Sequence, residues 1–304
     1  MAPRSICLLG GSGFVGTQLA AVLARDGWRI TVPTRDPARA SRRLGMVPAV
    51  RLVAADVHDP ARLAALCAGQ PFVVNLIGIL NERGRDGSGF AHAHVDFARK
   101  LVEACRRQHV DRLLQISALN ADADRGPSHY LRSKGRAERI IREECGDDLR
   151  WTIFRPSVVF GAGDDFSNRF ARLLRAIPLA LPVARPQARF APVWIGDVVA
   201  ALVHALADES TAGECYELCG PESLTLAEIV RQVRDRLGLA RVVIGLPDWA
   251  ARLQAAACDF VPGKPFSTDN YRSLTVDSVC SVNGLARLGI RPQPFSAILP
   301  KYLI

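Results

Sequence analysis

Residues 8–16 read LLGGSGFVG. Leu8 and Leu9 close a short apolar run, and a helix-like segment, FVGTQLAAVLARDG, opens at Phe14 and stops at Gly27. Gly10, Gly13 and Gly16 therefore stand at a strand-to-helix junction. That context separates a dinucleotide fingerprint from a merely flexible turn. Gly10 permits the tight turn, Gly13 lets the backbone approach a pyrophosphate, and Gly16 lets helix and sheet pack closely. The helix start adds amide donors and the positive end of a dipole. Ser12, Phe14 and Val15, between and beside the glycines, complete the expected contacts of this turn with the cofactor.

Outward from that turn the same alternation continues. WRITVPT and VRLVAAD read as strands, and PARLAALCAG reads as a helix from Pro60 to Gly69, by the usual proline-start and glycine-stop signals. PFVVNLIGIL is a near-continuous apolar run, as expected of a strand covered on both faces. A helix over about 91–109, the strand RLLQIS, a helix holding Tyr130, and a strand RWTIFRPSVVFG follow. Strand and helix in strict alternation predict an α/β protein with a Rossmann-type, doubly wound parallel sheet. After residue 160 proline becomes frequent and the periodicity weakens. The expected division is a dinucleotide domain over 1–160, with a late strand near 214–219, and a smaller interleaved substrate or partner lobe over 161–304.

The chain has 304 residues, a net charge of +9 and a pI near 9.5. Such a balance favours phosphorylated cofactors, anionic lipid or nucleic acid. No helix-turn-helix or aromatic-basic context accompanies the arginines, so nucleic acid is set aside. No secretory pattern is visible and no apolar run reaches the length of a membrane span. The expectation is a cytoplasmic protein, with the charge leaving room for peripheral membrane contact. The eight cysteines include no Cys-x-x-Cys pair. They read as buried thiols rather than a disulfide frame, with Cys215 and Cys219 on one strand face. His92 and His94 have no third ligand nearby and read as solvated or capping residues, so no metal site is expected.

The second strand decides the dinucleotide. An acid at its end would grip a ribose 2′-hydroxyl; an arginine suits a 2′-phosphate. Here Arg35 follows Thr34, and Arg39, Arg42 and Arg43 trail behind. Asp36 comes one residue late, and Pro37 marks it as a helix start. The expected cofactor is NADP(H) in preference to NAD(H). Asp56 and Val57, after the third strand, should flank the adenine. Leu76, Ile77 and Gly78, after the fourth, should line the ribose and pyrophosphate.

HYLRSKGRAE, residues 129–138, supplies the chemistry. Only four of the 39 basic side chains are lysine, and one of them, Lys134, sits one helical turn after Tyr130. Residues four apart share a helix face. A cation about 4 Å from a phenol is worth roughly 4 kcal/mol at an effective dielectric near 20. That would lower a phenol pKa of about 10 by up to roughly 3 units, making a usable acid or base. Ser117, at the end of LLQIS, could orient a substrate carbonyl beside the tyrosine.

With these residues in view, the chain resembles the extended, atypical short-chain dehydrogenases/reductases. The matching segments are GGSGFVG, ISALNAD, YLRSK, RPSVVFG and VWIGDVVAALVHAL. More narrowly, NLIG, ISALNADADRGPSHYLRSKGRAE and FRPSVVFGAGDDFSNRF resemble the branch that holds the nucleotide-binding accessory subunit of mitochondrial complex I, its bacterial relatives and a factor associated with ubiquinone synthesis. The resemblance implies a seven-stranded sheet, NADP(H), and Ser117, Tyr130 and Lys134 in catalytic positions. It also places Pro156 and Val158, in RPSVV, by the nicotinamide. Sugar-nucleotide dehydratases carry acidic residues after the serine or threonine, whereas Ala118 and Leu119 follow Ser117 here, which disfavours dehydration.

Three functions follow from this reading. The first is an NADP(H)-dependent oxidoreductase on a carbonyl or alcohol, quinone- or lipid-like. The second is a non-catalytic NADPH-holding accessory or assembly protein of a respiratory or ubiquinone-synthesis complex. The third is a sugar-nucleotide epimerase. The substrate itself is not legible.

Overall fold

The computed structural model describes residues 4–45, 47–262 and 264–303. The first half follows the alternation: β1 Ser5–Leu9, α1 Phe14–Arg25, β2 Arg29–Thr34, α2 Pro37–Leu44, β3 Val50–Ala54, α3 Pro60–Cys67 and β4 Phe72–Asn75. A short α4, Ser88–Phe90, runs through a π-turn, Ala91–Asp96, into α5, Phe97–Arg107. Then come β5 Arg112–Ile116, α6 His129–Glu144 and β6 Arg150–Pro156. Gly27 and Gly69 end α1 and α3 at φ +77° and +68°, the left-handed stop glycine adopts without a Cβ clash.

The sheet has seven parallel strands in the order β11-β6-β5-β4-β1-β2-β3, where β11 is Glu214–Leu218. From β1 the chain winds one way through β2 and β3, then returns to β4 on the other side. The crevice between the carboxyl ends of β1 and β4 is the topological switch point, where open α/β sheets bind ligands. One face of the sheet packs Leu19, Leu23, Val198 and Leu202 of α1 and α8 (Ile195–Ala207). The other packs Leu63, Phe97, Leu101 and Ile141 of α3, α5 and α6.

Between β6 and β11 lie β7 Val159–Phe160, α7 Ser167–Ala176, β8 Ala180–Val183, β9 Arg189–Phe190 and β10 Val193–Trp194. After β11 come β12 Leu224–Thr225, α9 Leu226–Arg236, β13 Val242–Gly245, α10 Asp248–Cys258, α11 Thr268–Ser273, α12 Gly284–Arg287 and α13 Phe295–Ile298. A third core gathers Phe160, Leu174, Val230 and Phe295 from these elements. RWTIFRPSVVFG is not one strand as expected: β6 ends at Pro156, and Val159–Phe160 pairs instead with Val193–Trp194. Ser157 marks the departure, its hydroxyl donating to the Ser278 carbonyl at 2.7 Å.

The cysteine reading needs a correction. Cys219 and Cys280 form a disulfide. Cys215 packs toward the core under α5 and α6, while Cys219, just past the end of β11, lies with Leu119 and Ala191. Pairing over 61 residues of chain leaves no spacing signal in a sequence. Cys7, Cys67, Cys105 and Cys145 are buried thiols, as read.

Candidate functional site

The glycine turn sits at the switch point. Gly10 has φ +80°, and a Cβ there would lie 3.0 Å from the Leu76 carbonyl carbon. The turn closes through Gly11 N–H to the Leu8 carbonyl at 3.0 Å and Gly13 N–H to the Gly10 carbonyl at 2.9 Å. A Cβ on Gly16 would lie 2.4 Å from Gly11 Cα, so α1 rests directly on the turn. Gly13 caps α1 without a side-chain acceptor. The first amides of the helix, with its dipole, therefore face the crevice ready for an anionic group.

On both flanks of the turn local hydrogen bonds fix the chain. Ile77 N–H donates to Asn75 Oδ1 at 3.0 Å, and Asn75 Nδ2 donates to Gln115 Oε1 at 2.7 Å, which fixes the bend Leu76-Ile77-Gly78. On the other flank Arg35 is exposed, and Asp36 accepts the Arg39 N–H at 2.9 Å as the cap of α2. Asp36 is thereby a helix start, as Pro37 signalled. Arg43 donates to the Ser12 carbonyl at 3.5 Å, so a guanidinium of α2 reaches the glycine turn. Asp56 is exposed and accepts the His58 N–H at 3.0 Å; Val57 packs against the core beneath it. Pro156 accepts the Leu119 N–H at 2.9 Å, and Val158 accepts the Val193 N–H at 3.0 Å, at the carboxyl end of β6.

Helix α6 carries Tyr130 and Lys134 to the same edge. Ser128 caps it by accepting the Leu131 N–H at 3.1 Å. Asp269 of α11 accepts two further amides, His129 N–H at 2.6 Å and Tyr130 N–H at 3.1 Å. Lys134 is 4 % exposed and its Nζ donates to the Ile116 carbonyl at 3.2 Å. The same Nζ lies 3.1 Å from where a Gly78 Cβ would stand. Ser117, next to Ile116, has its Oγ buried with no hydrogen-bond partner among the described residues. Sequence-distant Gly78, Ser117 and Lys134 are thus neighbours, with Tyr130 one turn before Lys134.

The electrostatics differ from expectation. Burial pushes the Tyr130 phenol up to about 12, although part of the residue reaches solvent. Burial pulls Lys134 down to about 8, with Glu138 acting in the opposite sense. The ammonium is turned toward Ile116 and Gly78, so desolvation, not attraction to Lys134, dominates the phenol.

His94 is a residue the sequence reading missed. It is 4 % exposed, not solvated. Its Nε2 accepts the Ile79 N–H at 3.2 Å, and its Nδ1 meets Ser133 Oγ at 2.8 Å. Ser133 Oγ donates to the Tyr130 carbonyl at 2.7 Å. Since Nε2 must be an acceptor, Nδ1 carries the proton. Burial and the Lys134 charge hold this imidazole neutral, its pKa lowered to about 2. The Tyr130 ring lies edge-on to Phe90 and His94, at centroid distances of 5.9 and 5.8 Å. The π-turn aims His94 inward, and no spacing rule in FAHAHVD announces such a turn. His92 does face solvent, 3.8 Å from Asp96.

A cavity of about 240 Å³ opens beside the start of α6, lined by Asn81, Phe90, His129, Lys264, Asp269 and Arg272. A larger hollow of about 810 Å³, lined by Arg99, Arg106, His109, Asp111 and Glu144, flanks the residue that leads into β5. It is at the amino edge of the sheet, away from the glycine turn, and the carboxyl edge is where such sheets hold ligands.

Residues 6–219, from β1 to the end of β11, match the model of the NAD dependent epimerase/dehydratase family. The chain belongs to that family. This family of extended short-chain dehydrogenases/reductases depends on nicotinamide dinucleotides. The tight glycine turn, the uncapped α1 amides and the Ser117 hydroxyl, without a partner among the described residues, all fit such a group. Among relatives, NADH dehydrogenase (ubiquinone) 1 alpha subcomplex subunit 9 of Arabidopsis thaliana is 30% identical over 292 residues, 91% of this chain and 71% of the relative. A ceramide reductase of Caulobacter vibrioides is 30% identical over 246 residues, 80% of this chain and 74% of the relative. A UDP-glucose 4-epimerase from Thermotoga maritima superposes with a TM-score of 0.76 over 99% of this chain and 97% of the epimerase, at 15% identity. That likeness is one of fold.

Proposed function

We propose that the chain is an NADP(H)-dependent oxidoreductase acting on the carbonyl or alcohol of a lipid- or quinone-like substrate. The observation that supports this reading is the Lys134 ammonium on the Ile116 carbonyl at the carboxyl edge, with Tyr130 one helical turn before it and the adjoining Ser117 Oγ buried without a partner among the described residues. When bound, the dinucleotide gives or takes a hydride. Gly10, Gly13 and Gly16 would cradle its pyrophosphate; Leu76, Ile77 and Gly78 would line its ribose side, and Pro156 and Val158 its nicotinamide. In the reducing direction Tyr130, protonated at neutral pH, donates its phenolic proton to the substrate oxygen. Ser117 donates a hydrogen bond to the same oxygen. Lys134, still charged at pH 7 and placed beside Gly78, would reach toward the cofactor ribose, and the phenolate left behind would regain its proton from solvent. His94 keeps the start of α6 in register through Ser133 and takes no part as acid or base. The relative named ceramide reductase supports a lipid substrate.

Arg35 and Arg43 favour NADP(H): guanidinium forks bind phosphate with paired, charge-assisted bonds. Replacing both by Ala should weaken NADPH binding by about tenfold or more and leave NADH binding nearly unchanged. Equal losses for both would overturn the NADP(H) choice. Replacing Tyr130 by Phe should lower turnover by about 10²-fold or more, with nucleotide affinity largely retained. Turnover equal to the parent protein would remove the mechanism.

A second reading is an accessory protein that keeps NADPH without turning it over. The similarity to a respiratory complex subunit over 91% of this chain supports it. Co-purified nucleotide with very slow release and no oxidation by carbonyl lipids would favour this reading; rapid exchange would favour the enzyme. The sugar-nucleotide epimerase remains the weaker alternative, since Arg35 stands where an acid would suit NAD.

A further inference from the structure

We infer that the outer face of α10 is a docking surface for an anionic lipid bilayer. The helix is packed in the reverse of the usual sense. Its inner face is Ala251 and Ala255, both essentially fully buried against Ala184 and Tyr271. Its large apolar side chains point out: Trp249 is 71% exposed, Leu253 65%, and Phe260, just past the helix end, 73%. At about 100° per residue Trp249 and Leu253 fall within about 40° of one another, opposite the two alanines, and Phe260 follows beyond the helix end. A helix folded only for its own core would place them inward and the alanines outward. Ile244 and Val242 of the preceding β13, and Leu179 beside it, are exposed as well. An apolar patch of this kind marks a contact surface rather than ordinary scatter.

Charge selects the occupant. The chain carries a net +9, so a second copy would approach against mutual repulsion, whereas anionic headgroups would be attracted. A basic group lies among the apolar ones: the Arg85 guanidinium is 4.5 Å over the Phe260 ring. The nearby carboxylates are engaged within the protein. Asp248 is held by Arg185, Arg252 and the Tyr271 hydroxyl, and Asp259 by Thr268. Tryptophan, large apolar side chains and arginine together are the composition of a membrane–water interface. Among the described residues no helix is long and apolar enough to cross a membrane, so the contact is a surface one. The segment after α10 lines the cavity beside the start of α6 with Lys264 and Asp269. Docking would therefore set that mouth near the headgroups; this consequence rests on the oxidoreductase reading, whereas the docking does not.

The test is co-sedimentation of the full chain with phosphatidylcholine vesicles with or without roughly one-third phosphatidylglycerol. Binding should be about tenfold or more tighter to the anionic vesicles, and should weaken with salt. The triple variant W249S/L253S/F260S should lose about tenfold or more of that binding, while its melting temperature and nucleotide affinity stay those of the parent. As an independent readout, brominated phosphatidylglycerol should quench the fluorescence of the parent protein and leave W249F much less affected. The inference is overturned if the parent binds no anionic vesicles, or if the triple variant binds them equally well. It is also overturned if the parent is a dimer that these substitutions dissociate, with no vesicle binding. Vesicle binding without any nucleotide binding would support docking and sink the oxidoreductase reading alone.

Discussion

Replacing Lys134 by Met separates what the buried ammonium costs the fold from what it does for the site. Lys134 is 4 % exposed and its pKa falls from an ordinary 10.5 to about 8, mainly by desolvation. A depressed lysine pKa means that, between about pH 8 and 10.5, the unfolded chain holds a proton that the folded chain has released. Stability therefore rises with pH across that window, and below it the folded state carries the full penalty of a buried charge. The gap between 10.5 and about 8, at about 1.4 kcal/mol per pH unit, corresponds to about 3 kcal/mol at neutral pH. Methionine fills similar volume but loses the hydrogen bond to the Ile116 carbonyl, worth about 1 kcal/mol. Net, K134M should be about 2 kcal/mol more stable than the parent at pH 7. Urea unfolding of both proteins from pH 6 to 10.5 measures the difference. It should be largest at or below pH 7 and shrink steadily above pH 8, while turnover or tight nucleotide retention is lost. A difference that stays constant with pH would refute the argument that Lys134 is held charged at a desolvation cost.

Gly16→Ala puts a Cβ 2.4 Å from Gly11 Cα. Relief needs a shift of about 1 Å in α1, so a destabilisation of about 1–3 kcal/mol and weaker dinucleotide binding are expected, read by thermal melts with and without nucleotide. An unchanged melt would show that helix and turn are not in contact. Asp269→Ala removes the acceptor of two α6 amides. It should cost about 1–2 kcal/mol and lower turnover by loosening Tyr130, with nucleotide affinity little changed; intact turnover would show that Ser128 alone holds the helix start.

Much of this molecule follows from local pattern. The strand-glycine-helix junction at residues 8–16, the apolar run of β4 and the proline and glycine punctuation of α3 act over a few residues. They place the elements, the parallel sheet and the switch point. Tyr130 and Lys134 were legible for the same reason: helical spacing puts them on one face. Tertiary packing decided the rest. It turned the Lys134 ammonium toward Ile116 and Gly78, so burial raised the phenol that attraction was expected to lower. It brought Asp269 onto α6 across 139 to 140 residues, joined Cys219 to Cys280, and used a π-turn to bury His94. Periodicity and capping preferences are short-range and survive in one dimension. Desolvation, long-range hydrogen bonds and disulfide pairing depend on which distant segments meet, and a linear pattern carries no distance between them.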